Sequence, residues 1–347
     1  MKAALRLVTL VLLFMLANTT AATAVQYRLV DLGTLGGGSS QAFAINDSNQ
    51  VVGQAGLPNG RSHAFLWEAD NGMSDLGGTW NSTAVGINNL GQVIINDSGT
   101  RANKGYLWDR LNGPQEASTF GFPTDHLFAV NDDCQLVGRQ ALWSPRDGLV
   151  PISVFGSNSM RGDALNDGGE VVGTYTNASG LRHAFAWSRT GGAVDLGTLG
   201  SSTSEAYDIN NKGQVVGNSE LHQYDYHAFL WQSGIGMQDL GTLGGAWSFA
   251  QGINDLGQVV GRSQIANGTT HAFVWDSKNG MVDVGAQGYG DSQAWAINDN
   301  GWIVGYSFTA PGTAHACVWI PIPEPSSILA LLCGIGGMGG IIVRRRK

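Results

Sequence analysis

The feature that most constrains this chain is that it repeats itself seven times. Ile, Val or Leu followed by Asn, then by Asp or Asn, recurs at Asn46, Asn88, Asn131, Asn166, Asn210, Asn254 and Asn298. A tryptophan trails each, at Trp67, Trp108, Trp143, Trp187, Trp231, Trp275 and Trp319, and from Trp143 onward the interval is 44 residues. A period of this length belongs to propellers and repeat arrays, where one unit cannot bury its apolar face alone and stacks on its neighbours.

Each unit parses into four short strands. In the unit that follows Gly197 they fall at residues 204–210, 214–218, 227–231 and 237–241. Asn211-Lys212-Gly213 and Ser233-Gly234-Ile235-Gly236 supply the turns, with Gly giving the positive φ. Four strands in about 44 residues is the pattern of a propeller blade. The expected fold is therefore all-β: a seven-bladed β-propeller of four-stranded blades over residues 25–320. The ends support closure. Pro321 and Pro323 stop the sheet after Trp319, so the last unit lacks its fourth strand. Residues 27–33 (YRLVDLG) form a fourth-type strand with no unit before it. The N-terminal strand is expected to complete the seventh blade and so remove the open edges of the array.

The two termini read as targeting segments. Lys2 and Arg6 precede an apolar run over residues 7–17, and Ala22-Thr23-Ala24 offers a cleavage site, so residues 1–24 read as a secretory signal peptide. At the other end Pro323-Glu324-Pro325 precedes an apolar stretch over residues 328–343, and Arg344, Arg345, Arg346 and Lys347 end the chain. Residues 321–347 are expected to include one short transmembrane helix with the cations on the cytoplasmic side. With these ends removed, 13 basic side chains face 26 acidic ones. So acidic a surface repels nucleic acid and suits an exported domain. Three scattered cysteines offer no disulfide framework.

Two resemblances follow from these residues. Pro323-Glu324-Pro325, the short span and the arginine cluster resemble the PEP-CTERM sorting signal of Gram-negative bacteria. That likeness implies a membrane-embedded exosortase as processing partner, transient membrane anchoring, display or release at the cell surface, and a setting of exopolysaccharide or biofilm. The repeat resembles the HAF family of bacterial extracellular proteins. Its motif stands at His63-Ala64-Phe65, His183-Ala184-Phe185, His227-Ala228-Phe229 and His271-Ala272-Phe273, with His315-Ala316-Cys317 a near copy. The companion phrase Asp-Leu-Gly-Thr-Leu-Gly begins at Asp31, Asp195 and Asp239. Unit two departs with Lys104-Gly105-Tyr106, and unit three lacks both the loop and the His, running Arg139-Gln140-Ala141-Leu142-Trp143. The resemblance implies export and a repeat fold and carries over no catalytic residues.

The repeated polar residues read as structural. Like positions on packed sheets lie about 10 Å apart, whereas several ligands must converge within about 2 Å of one zinc ion. The repeated His is therefore expected to hydrogen-bond at strand ends. Asp47, Asp132, Asp167, Asp255 and Asp299 sit in separate turns and are expected to cap their own backbone rather than to share calcium. No metal, cofactor or catalytic residue is assigned; metalloprotease, nucleophile-elbow and phosphate-loop motifs are lacking.

What departs from the repeat is more informative. Trp80 and Trp247 occupy equivalent crossing loops, and an insert carrying His222, Tyr224, Asp225 and Tyr226 extends a loop on the same face. Aromatic rings with polar neighbours suit stacking on sugars or gripping a protein partner. Trp80, Trp247, His222, Tyr224 and Tyr226 are thus the candidate ligand-binding residues. Trp295 and Trp302 are expected to pack against the closing strand. The resulting expectation is a non-enzymatic surface or matrix protein that binds polysaccharide or a surface protein. The alternative is a glycan-active lyase or glycosidase, which requires unrepeated carboxylates, such as Glu205, Glu220, Asp225 and Asp291, to meet in one pocket.

Overall fold

The computed structural model describes residues 25–322, apart from 79, 100–102, 123–125, 158, 223–224 and 287–289. The signal peptide, Pro323, Glu324, Pro325, Arg344, Arg345, Arg346, the transmembrane helix and Tyr224 lie outside the described residues. Among the described residues no helix is long and apolar enough to cross a membrane.

Seven four-stranded antiparallel sheets make up the fold. Six are built from consecutive strands, and the seventh runs Gln26–Asp31, Thr313–Ile322, Ile303–Ala310, Ser292–Ile297. Residues Tyr27–Pro321 form one compact unit. The propeller and its closure by the N-terminal strand thus stand as read from the repeat count. Blade three is complete although its strands are short, at Leu127–Val130, Leu136–Gly138, Ala141–Ser144 and Gly148–Pro151.

The core lies between blades. Phe229 of blade five, fully buried, packs with Val172 and Ala184 of blade four and with Ala206 of its own blade. Phe65, Phe185 and Phe273 repeat that arrangement in other blades. Each such ring removed from water contributes about 2–3 kcal/mol, which is why a single blade has no stable core of its own. The closing strand is packed on both faces: Val30 and Leu32 join one cluster, Tyr27 and Leu29 the next. Trp302 packs into the first of these, as expected, whereas Trp295 does not approach the closing strand and instead meets Phe43 edge-on at 5.6 Å.

One glycine explains much of the repeated Val-Val-Gly phrase. The first strand of blade five (Ser204–Ile209) bulges between Ala206 and Asp208. A Cβ on the facing Gly217 would sit 1.9 Å from the Glu205 carbonyl oxygen, so only glycine fits against the bulge. The same closeness recurs at Gly53, Gly173, Gly261 and Gly305.

The insert of blade five is not a loop. The second and third strands run on as Val215–His222 and Asp225–Gln232, with His222 paired opposite Asp225. Alternating residues with cross-strand partners continue the ladder past the usual blade edge.

Candidate functional site

Two closed rings of hydrogen bonds seal the mouth of the propeller on the tight-turn face. Asn46 Nδ2 donates to the Asn88 carbonyl at 3.0 Å, Asn88 donates to Asn131, and so on around to Asn298, which donates to Asn46 at 2.9 Å. Around it, the backbone N–H of each following residue donates to the side chain of the next blade, from Asp47 to Asn89 at 2.8 Å and finally from Asp299 to Asp47 at 2.9 Å. The Asp residues therefore do not cap their own turns, as expected from sequence, but tie each blade to its neighbour. The self-capping role falls to the Asn, whose Oδ1 accepts from the Gln50 amide in blade one. The turns of seven blades converge at one axis, so an inter-blade partner lies as near as an internal one. Asp299 is flanked by carboxylates on both sides; burial first, then Asp47 and Asp255, raises its pKa.

Inside the mouth lies a channel of about 440 Å³. The side chain two residues before the aliphatic-Asn phrase faces it in every blade: Phe43, Val85, Phe128, Asp163, Tyr207, Gln251 and Trp295. Sequence reasoning missed these residues. Their signal was present, because this position differs in nearly every unit while its neighbours repeat.

The unrepeated charges connect Asp163 and Tyr207 of the channel to Arg161, Arg182 and Glu205, which border a neighbouring cavity. Arg161 pairs with Asp163 at 2.7 Å and Arg182 with Glu205 at 2.6 Å. Tyr207 donates its hydroxyl to Glu205 at 2.6 Å. Burial pushes the Asp163 carboxyl up to about 7, against the pull of Arg161 and with a further push from Glu205. Its Oδ2 is buried without a hydrogen-bond partner among the described residues. Asp208 is also pushed up to about 7 by burial, although the Ile253 and Ile209 amides bond to it. Of the four carboxylates named for the enzymatic alternative, only Glu205 reaches this place. Glu220 accepts from Ser201 and Ser202, Asp225 belongs to the long hairpin, and Asp291 accepts from the Thr270 amide.

The repeated His residues hydrogen-bond at strand ends, as read. His227 Nδ1 meets Asp239 at 2.9 Å, and equivalent pairs join His63 to Asp75, His183 to Asp195, His271 to Asp283 and His315 to Asp31. In blade two Lys104 and Glu116 take over these positions at 2.6 Å.

The candidate aromatics divide into two groups on the open face. Trp247 lies within a strand, Gly244–Ile253, not in a loop, and meets Phe249 edge-on at 5.4 Å. Tyr226 stacks with Phe249 at 6.1 Å, and the Arg262 guanidinium lies over Phe249 at 5.0 Å. Trp247 and Tyr226 are thus brought together through a ring that sequence reasoning did not single out. Trp80, 42% exposed, stands apart under Arg61 at 4.1 Å. His222 is exposed near the tip of the long hairpin.

The molecule is a seven-bladed propeller with a channel lined by both apolar and polar side chains and an aromatic open face. No protein-family model matches the chain, and no curated protein matches it. Among solved structures it is similar to a gluconolactonase from Xanthomonas campestris (12% identity over 88% of this chain and 94% of that one, TM-score 0.48). It is also similar to the BP39L lectin from Burkholderia pseudomallei (12%, 86% and 98%, 0.47). A third similar structure is TolB from Acinetobacter baumannii (10% identity, 84% of this chain, TM-score 0.41), of whose length the chain covers 65%, just under two thirds. None of the three reaches a TM-score of 0.5, and the site is read from its own residues.

Proposed function

We propose that this protein is an exported, non-enzymatic glycan-binding propeller, sorted through its tail by an exosortase-type partner to the surface or matrix of a Gram-negative cell. The supporting observation is the ledge of Trp247, Phe249 and Tyr226 with Arg262 on the open face. Flat rings beside a guanidinium offer both stacking and hydrogen bonding to a sugar. The test is a glycan array probed with the propeller, residues 25–322. At least one glycan family is expected to bind, with Trp247→Ala weakening it by roughly tenfold. No ligand at millimolar glycan leaves only a structural spacer.

One observation favours the enzymatic alternative: Asp163, with its pKa near 7, lies within electrostatic reach of Glu205. Against it, each carboxylate is engaged by an arginine in the structure. The same array ligands decide the matter. Binding without product formation supports the first reading, and cleavage that disappears in Glu205→Gln establishes the second.

A further inference from the structure

The blades are unequal on the open face, and the inequality makes a pocket. The hairpin of second and third strands runs from Val51 to its partner Trp67 in blade one and from Val171 to Trp187 in blade four, but only from Leu136 to Trp143 in blade three, where Arg139 and Gln140 make the turn. With that wall lowered, a cavity of about 220 Å³ opens between blades three, four and five, bordered by Arg139, Ser159, Arg161, Tyr175, Arg182 and Glu205.

Charge singles the pocket out. Only 13 basic side chains stand against 26 acidic ones between residues 25 and 320, and three of the 13 gather here. Arg161 and Arg182 have carboxylate partners. Arg139 does not. It occupies, four residues before Trp143, the position that holds His in five blades and Lys104 in blade two. In those six blades an acid stands on the neighbouring strand and pairs with the side chain at this position. In blade three the residue at the acid's position is Pro151. The nitrogen-bearing side chain is kept and its acid is gone, so an exposed guanidinium has no carboxylate partner among the described residues.

A second, independent feature lies beside it. Phe155 is 58% exposed and has a φ of 49°, in the left-handed region that bulky side chains avoid. Gly156 follows at 72°, and the Ser157 N–H donates to the Val154 carbonyl at 2.8 Å. This is a tight turn whose first central position normally takes Asn, Asp or Gly. The Phe155 ring packs on Tyr175 at 5.2 Å, and Tyr175 borders the pocket. Backbone strain spent on holding an apolar ring in solvent is a mark of a binding site.

We propose that this pocket binds an acidic sugar residue, a uronate within a polysaccharide. The Arg139 guanidinium receives the carboxylate and Phe155 supplies the face on which the sugar ring stacks. A planar fork of N–H donors matches a carboxylate in a way that a neutral hydroxyl does not. The inference rests on the glycan-binding reading and narrows it to a ligand class and a second place on the open face.

Calorimetric titration of the full-length protein with trigalacturonate, with neutral galactotriose and with acetate tests it. Trigalacturonate is expected to bind, more weakly at high salt. Arg139→Ala is expected to weaken it at least about tenfold, and Arg139→Lys and Phe155→Ala by several-fold. The Arg139→Ala thermal midpoint stays unchanged, because the side chain is exposed. Equal binding of the acidic and neutral trimers, or unchanged affinity in Arg139→Ala, overturns the proposal. Acetate binding as tightly as the trimer also overturns it, since the sugar then plays no part. A neutral glycan held at Trp247 while trigalacturonate fails at Arg139 sinks this inference alone and leaves the broader reading standing. Failure of all sugars sinks both.

Discussion

At the scale of single residues, the repeat is held by its seven Asn side chains, in which both Oδ1 and Nδ2 have partners. Asn254 shows the pattern: Nδ2 donates to Gln258 Oε1 and to the Asn298 carbonyl, while Oδ1 accepts from the Leu256 and Gln258 amides. Only a carboxamide has two donors and two acceptor sites in that shape, so the Asn is fixed by geometry. The channel carboxyls behave otherwise. The folded state holds a proton on Asp163 up to about pH 7, whereas the unfolded chain releases it near 4. The folded form therefore binds more protons across that window. Its stability falls as pH rises, by roughly 1.4 kcal/mol per pH unit per such group. Chemical denaturation at pH 5 and at pH 8 is expected to give a higher midpoint at pH 5. Asp163→Asn, which cannot ionise, is expected to narrow the gap; an unaltered gap would show that other groups set it.

At the scale of elements, the decisive contact is the latch that joins the third strand of one blade to the first strand of the next. In blade five the Ala228 amide donates to Ser248 Oγ at 2.9 Å, and Ser248 donates to the Gly241 carbonyl at 2.6 Å. The N-terminal strand closes blade seven with the same set. Ala316 donates to Ser40 Oγ at 2.8 Å, Ser40 donates to Gly33, Leu32 donates to the Ala316 carbonyl and His315 pairs with Asp31. Ser40→Ala leaves a buried amide without its acceptor and is expected to cost about 1–3 kcal/mol. Because the latch lies at the ring's closure, amide hydrogen exchange of residues 26–31 should accelerate more than that of blade four. Equal acceleration in both places would mean that the ring opens as one unit and not at this seam.

At the scale of the whole molecule, the propeller is complete before the tail begins. The compact unit ends at Pro321 and the last strand at Ile322. Deletion of residues 323–347 is therefore expected to leave the thermal midpoint within about 1–2 °C of the parent, since no described core residue is removed. In cells the same deletion is expected to change where the protein accumulates. Loss of folded protein on this truncation refutes the division between domain and sorting segment.

Seven repeats, four strands to each, and a fourth-type strand stranded at the N-terminus determined the closed ring from sequence alone. They do so because strand periodicity and turn glycines are local signals, and closure follows from counting. The roles of the Asp ring, the channel side chains and Arg139 were decided only by the tertiary structure. Asp47 and Asp299 are 252 positions apart yet share a hydrogen bond, and the absence of an acid opposite Arg139 becomes visible only when strands are laid side by side. A repeated sequence states what each blade is made of; only the closed ring sets which atoms of different blades meet.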